Sequence, residues 1–368
     1  MTKLCSDGII TQDPKAISQI CELFYKNLYK SQLSTNDMES FFNSLGAIKG
    51  ISDANKEVCY APITVKDIED AIKKLKLNKS PGNDGLTSEF FKLFSEDISH
   101  FLHKVYIESI DNEKLPPSLT QGLITLIPKP QKDTLLLDNW RPNSLQNNDY
   151  KIIAICLAKK LKGTLDDIID ETQSGFMTGR YITNNIRLVL DILDYSELIV
   201  DEGFILFLDF YKAFNSLQHQ FMYKALDVFG FGDTFKKSVK TLYTNANSSI
   251  KLPYGTTKRF DINSGIRQGC PLSAYLFLLP MQLLSIHFKN CDILGLSIAG
   301  RTVSISQLAD DTTLFLKDKS QVDDAIKVIN TFSLASSLKL NISKCELLPV
   351  KGCTDSSISG IPVKHQVK

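Results

Sequence analysis

The run Leu308-Ala309-Asp310-Asp311-Thr312-Thr313-Leu314-Phe315 sets two adjacent carboxylates between apolar stretches, and few local structures tolerate that. Its flanks read as strands, so the doublet falls where an antiparallel pair has to turn. Like charges are then crowded at the end of a core sheet. A bound divalent cation relieves such repulsion, and hard ions such as Mg2+ take oxygen ligands, usually one or two carboxylates plus substrate phosphates. The doublet is therefore either an ordinary solvated acidic turn or half of a phosphoryl-transfer centre. A second acidic element has to decide between them.

Asp209 is the candidate. It closes Gly203-Phe204-Ile205-Leu206-Phe207-Leu208-Asp209, the most strand-like run in the chain, whose unbroken apolar character predicts a central buried strand. A lone acid there needs compensation. If this strand lies beside the doublet hairpin, Asp209, Asp310 and Asp311 converge and can hold two divalent ions about 4 Å apart, the arrangement of polymerases and nucleases. The other reading makes Asp209 the N-cap of a helix starting at Tyr211.

Length and composition bound the setting. With 368 residues, 43% of them hydrophobic, the chain can bury a large core in two or three lobes. A net charge of +1 requires any polyanionic partner to be held by local basic patches. The eight cysteines are scattered without a CxxC pair, which predicts reduced thiols in an intracellular protein. No apolar run approaches the roughly 20 residues of a membrane span, and the first residues, with Asp7 and Asp13, lack a signal-peptide core.

Periodicity predicts a helix over Pro14 to Lys30, then a polar, turn-rich stretch to Ile63, so that residues 1–60 read as an N-terminal helical extension to a main body at 61–368. Helices are further expected from Thr64 to Leu75, Ser88 to Ile110, Asp149 to Leu165, Thr183 to Leu198, Gln218 to Phe229, Thr234 to Asn245, Ser273 to Lys289 and Ser320 to Leu338. Strands are expected before Pro128, in a polar hairpin from Ser249 to Asn263, at the doublet, and at an edge from Cys345 to Val350. The loop Asn78-Lys79-Ser80-Pro81-Gly82-Asn83-Asp84-Gly85 has glycines that permit close backbone approach.

From about Ile72 almost to its end the chain resembles the reverse transcriptase of LINE-type non-LTR retrotransposons, motif by motif and in order. Leu208-Asp209-Phe210-Tyr211-Lys212-Ala213-Phe214 resembles that family's first catalytic palm motif, and Ser264-Gly265-Ile266-Arg267-Gln268-Gly269-Cys270-Pro271-Leu272-Ser273 its nucleotide and template-handling motif. Leu308-Ala309-Asp310-Asp311 takes the place of the catalytic doublet. Ile127-Pro128-Lys129-Pro130, Asn139-Trp140-Arg141-Pro142 and Asp149-Tyr150-Lys151-Ile152 resemble the fingers motifs, followed by Gln173-Ser174-Gly175-Phe176 and Arg180. Leu338 to Lys344 resembles the motif closing the palm.

The resemblance implies an α+β right-hand polymerase of fingers and palm, with an antiparallel palm sheet packed on helices, core motifs at about 122–350, and an end before the primer grip and thumb. It implies RNA-directed DNA polymerase activity on an RNA template and DNA primer with deoxynucleoside triphosphates and two Mg2+ ions, Mn2+ being a possible substitute. Asp209, Asp310 and Asp311 are then catalytic and metal-binding, with the backbone carbonyl of Phe210 as a further ligand. Phe214 is expected under the sugar, rejecting a 2′-hydroxyl. Lys129, Arg141, Arg267, Gln268 and Gly269 are expected to contact nucleotide or template, and Lys344 to protonate the leaving pyrophosphate. Lys79, Gly82 and Gly85 are expected at template RNA.

Three residues depart from the family pattern: Asn215 for a second aspartate, Asn143 for an aliphatic residue, and Ser337 for a glycine that needs positive φ. Two other functions fit part of the sequence. A non-catalytic nucleic-acid-binding remnant of a truncated retroelement would use the same basic fingers without turnover. A metal-dependent phosphohydrolase would need an activated water, yet none of His100, His103, His219, His287 and His365 lies beside the acidic motifs. The expected compartment is nucleus, cytoplasm or both, with no membrane partner.

Overall fold

The computed structural model describes residues 1–6, 8–199, 202–351 and 353–364, without the side chains of 197–199; Asp7, His365 and the final residues fall outside it. Helix and sheet are mixed throughout, and the chain divides into two compact units. The first comprises Met1–Ser31, Ile51–Thr164 and Gly230–Tyr275, and the second Gln32–Gly50, Leu165–Phe229 and Leu276–Lys368.

The first unit is built on a five-stranded sheet. Gln121–Pro128 pairs antiparallel with Trp140–Gln146 and parallel with Asn247–Leu252, which in turn pairs with Gly255–Thr256 and Phe260–Asp261. The strand before Pro128 and the polar hairpin are as predicted, whereas Trp140–Gln146 reads in sequence only as a motif. On one side of the sheet the helix Pro14–Leu28 sends Ile17, Cys21 and Tyr25 into a core with Ile124, Trp140, Ile250 and Phe260. Asp13 caps that helix by accepting from Ala16 N at 2.9 Å, with Pro14 preset for its first turn. Helix Asn148–Thr164 is buried along most of its length, with Val65–Lys74, Asp53–Tyr60 and Gly232–Tyr243 packed against it.

The second unit holds a four-stranded antiparallel sheet in the order Ile305–Leu308, Asp311–Leu316, Phe204–Leu208, Glu346–Pro349. Phe204–Leu208 lies in its interior, as its continuous apolar run predicts, and Glu346–Pro349 is an edge strand. Ile205 and Phe315 pack with Ile192 of the helix Ile182–Ile199. Leu206, Leu314 and Leu347, which alternate to the other face, are fully buried as well. The hairpin Ser357–Ile358 with Ile361–Pro362 joins Glu346–Pro349 through a parallel bridge from Val363 to Leu347, an element the sequence did not announce.

Residues 1–60 do not form a separate extension in this structure. Their first helix lies in the core of the first unit, and the supposedly turn-rich stretch contains helices Thr35–Ser44, in the second unit, and Asp53–Tyr60, in the first. Phe41 of Thr35–Ser44 is fully buried among the rings of Phe221, Phe332 and His287, with centroids 4.9 to 5.6 Å away. All eight cysteines are free thiols. Among the described residues no helix is long and apolar enough to cross a membrane.

Candidate active site

The second unit brings the three acids to one end of its sheet. Strand pairing runs from Leu316 opposite Phe204 to Thr312 opposite Leu208, and continuing that register by one residue sets Asp311 opposite Asp209. On the other side Leu308 pairs with Asp311, leaving Ala309 and Asp310 as a two-residue turn with Ala309 at φ 56°. Asp209 is not a helix N-cap. No helix begins at Tyr211; the next, Ala213–Ser216, follows Lys212 in left-handed conformation. Instead the 209–211 segment is fastened to 339–341: Asn341 N donates to Asp209 O at 2.8 Å and Tyr211 N to Lys339 O at 2.8 Å, with Phe210 bridging Leu340. Beneath it, the buried Cys345 Sγ accepts from Asp209 N at 3.5 Å.

The electrostatics are those of an uncompensated acidic cluster. Burial, opposed by a backbone hydrogen bond and reinforced by the charges of Asp311 and Asp209, pushes the Asp310 carboxyl up to about 6. The Asp311 carboxyl is also raised, by desolvation and then by Asp209. Among the described residues no basic side chain contributes to either shift. Hard oxygen donors of like charge crowded together suit a divalent ion of the Mg2+ class. The side chains are not closed into a cage: among the described residues no group of three His, Cys, Asp or Glu is poised to hold a metal.

Around the acids, Phe214 is half-buried and stacks on Phe277 with centroids 4.3 Å apart and planes at 18°, while Phe176 meets it edge-on at 6.4 Å. Lys344 ends the short turn Ile342–Lys344, its N donating to Asn341 O while its side chain is exposed. Asn215 is 2% exposed, a position where a neutral amide is easier to bury than the expected carboxylate. Ser337 adopts φ 63° at the C-terminus of helix Ser320–Ser336, the conformation anticipated for a glycine there.

The remaining sequence candidates belong to the first unit. Lys129 follows the strand end at Pro128, its Nζ donating to Asp138 O at 3.1 Å, and Arg141 on the paired strand is exposed. Arg267 is turned inward: only 4% exposed, it donates from Nη2 to Thr120 O at 2.9 Å and lies over the Tyr150 ring at 4.8 Å. Gln268 O accepts from Ser144 N at 2.9 Å, and Gly269, at φ 106°, leaves so little room that a Cβ would sit 2.7 Å from Ser144 O. Gly82 similarly presses on the chain itself, a Cβ there meeting Asn147 Oδ1 at 2.1 Å and Gln146 C at 2.7 Å. Lys79 and Gly85 are exposed on the same loop. At both glycines the space a Cβ would need is taken by neighbouring residues of the same unit.

Residues 127–357, more than half of the chain, match the family described as reverse transcriptase (RNA-dependent DNA polymerase). The chain belongs to the reverse transcriptase family. The Transposon TX1 uncharacterized 149 kDa protein of Xenopus laevis is 34% identical to it over 340 residues, covering 92% of this chain and 26% of that protein. The retrovirus-related Pol polyprotein from type-2 retrotransposable element R2DM of Drosophila melanogaster is 26% identical over 300 residues, 82% of this chain and 27% of that protein. The RNA-directed DNA polymerase from mobile element jockey of Drosophila melanogaster is 23% identical over 321 residues, 82% and 34% respectively. By their names these relatives are proteins of a transposon, a retrotransposable element and a mobile element. The chain spans about a quarter to a third of the length of these relatives.

Sequence reasoning gave no role to several residues that shape this site. Phe277 beneath Phe214 and Cys345 beneath Asp209 carry no local signal. Gln173 and Gly175 do lie in a motif, and both contact the Ala309 turn.

Proposed function

We propose that the chain is an RNA-directed DNA polymerase domain in which the second unit is the palm and the first the fingers. The single observation that carries this reading is the register of the four-stranded sheet, which sets Asp311 opposite Asp209 with Asp310 in the adjoining turn. Asp209, Asp310, Asp311 and the Phe210 carbonyl would hold two Mg2+ ions, which when bound lower the pKa of a primer 3′-hydroxyl and neutralise charge on the leaving pyrophosphate. Phe214, braced by Phe277, limits space beneath the incoming sugar and so favours deoxynucleotides. Lys344 supplies a proton to the departing pyrophosphate. Lys129 and Arg141 hold phosphate by charge-assisted bonds, the 264–272 segment lines the nucleotide, and Lys79 with Gly82 and Gly85 faces template RNA. Arg267 supports that segment from within.

The test is extension of a DNA primer annealed to RNA, with deoxynucleoside triphosphates and Mg2+ or Mn2+. Extension by the wild-type chain is expected, with a loss of about a hundredfold or more in Asp209→Ala and Asp310→Ala proteins that keep their far-UV circular dichroism. Salt-dependent binding of template and primer without any nucleotide incorporation would overturn the polymerase reading.

A further inference from the structure

Gln173 is 1% exposed, and its side-chain amide is engaged wholly with backbone. Its Oε1 accepts from Ala309 N at 2.8 Å and from Gly175 N at 2.8 Å, and its Nε2 donates to Ala309 O at 3.2 Å. One side chain therefore grips both polar groups of Ala309, the residue that turns the chain into Asp310. Ala309 is held at φ 56°, a conformation that a residue with a Cβ adopts at a cost and keeps only when its surroundings enforce it. The fit is close: a Cβ on Gly175 would lie 2.2 Å from Ala309 N and 2.9 Å from Ala309 Cα.

The gripping segment is itself anchored. Gln307 N donates to Thr172 O at 2.7 Å and Ser174 N to Gln307 O at 2.8 Å, so that 172–174 runs as a short parallel partner beside the strand leading into the turn. Behind it the Arg180 guanidinium donates to the carbonyls of Ile169, Asp170 and Gln173. Asn185 Nδ2 donates to Ser306 Oγ at 2.7 Å and to Gln307 O at 3.0 Å, tying helix Ile182–Ile199 to the same strand. A turn carrying two mutually repelling carboxylates is thus fixed from its backbone side.

We propose that Gln173 is a positioning residue that sets the Ala309–Asp310 turn, and with it the direction of the Asp310 and Asp311 carboxylates. The role in catalysis rests on the polymerase reading above; the grip on the turn does not. Gln173→Met keeps the length and removes all three hydrogen bonds. Gln173→Glu keeps the acceptor for the Ala309 and Gly175 amides, but sets an oxygen against Ala309 O and adds a negative charge near the doublet. Gly175→Ala attacks the same contact from the other side.

Two measurements read the proposal. Hydrogen exchange of the Ala309 and Gly175 amides, followed in protein without added metal, is expected to accelerate by roughly tenfold or more in Gln173→Met, while Leu206 and Leu314 in the sheet keep their protection. Steady-state extension is expected to show kcat lowered by roughly tenfold or more in Gln173→Met and Gly175→Ala with KM for deoxynucleotide little changed, the signature of a group that acts on the reacting geometry and not on binding. In Gln173→Glu the Ala309 amide stays protected while kcat still falls. Unchanged kcat in Gln173→Met would overturn the role in catalysis. A fall in kcat that tracks a loss of protection across the whole sheet would assign Gln173 to general stability and also overturn it. An inactive wild-type chain would sink the polymerase reading instead, and the exchange rates alone would then decide whether Gln173 holds the turn.

Discussion

Asp149 shows how one buried charge imposes a pH dependence away from the acidic doublet. Burial comes first, and together with the charge of Asp84 it outweighs the hydrogen bond from Tyr150 N, raising the carboxyl to about 6. Unfolded, an aspartate titrates near 3.9, so between these values the folded chain binds the extra proton. Stability from this group is therefore greatest below pH ~4 and is lost as pH rises through 6. Asp149→Asn keeps an acceptor for Tyr150 N, at 2.7 Å in the wild type, and removes the charge. The variant is expected to be more stable than wild type at pH 7.5 by about 1–3 kcal/mol and to converge with it near pH 3.5. Urea unfolding at the two pH values measures this; a gain of equal size at both would show that the ionised carboxylate is not the cause.

At the scale of elements, the helix Ser320–Ser336 ends where Ser337 takes φ 63°, its N–H donating to Ser333 O at 2.8 Å. Left-handed residues with a Cβ cost more there than glycine does. Ser337→Gly is expected to raise stability by about 1 kcal/mol, read as a higher urea midpoint with an unchanged slope. This position was legible in the sequence because the motif it departs from demands a turn of fixed conformation. The buried strand Phe204–Leu208 and the doublet hairpin were legible for a related reason: an unbroken apolar run and a charged two-residue turn each admit few structures. Other elements were not. Thr35–Ser44 and Asp53–Tyr60 each bury a single residue, Phe41 and Cys59, too few to print a period. Trp140–Gln146 carries Arg141, Pro142, Asn143 and Gln146 and becomes a strand through pairing with Gln121–Pro128, which tertiary context supplies. The grip of Gln173 on Ala309 joins residues 136 apart in sequence, and no local pattern encodes such a pairing.

At the scale of the whole molecule, three segments of chain belong to each unit in alternation, so neither unit is a continuous stretch. The polar region belongs to the second unit from Gln32 as far as Gly50, and its contribution there is a helix whose one buried side chain is Phe41. An appended segment and an integral one differ in what that ring is worth. On an appendage, removing it would leave the sheet that carries Asp209 and Asp311 untouched. As placed, Phe41 is fully buried and contacts the rings of Phe221, Phe332 and His287, contributed by three further helices of the second unit. Truncating a phenylalanine in such a setting costs the transfer of the ring and the cavity it leaves, about 3–5 kcal/mol. Phe41→Ala is therefore expected to lower unfolding free energy by about that amount, and to weaken exchange protection in Phe204–Leu208 although no atom of that strand has changed. Unaltered protection there, with a loss below about 1 kcal/mol, would return Thr35–Ser44 to the status of a surface attachment.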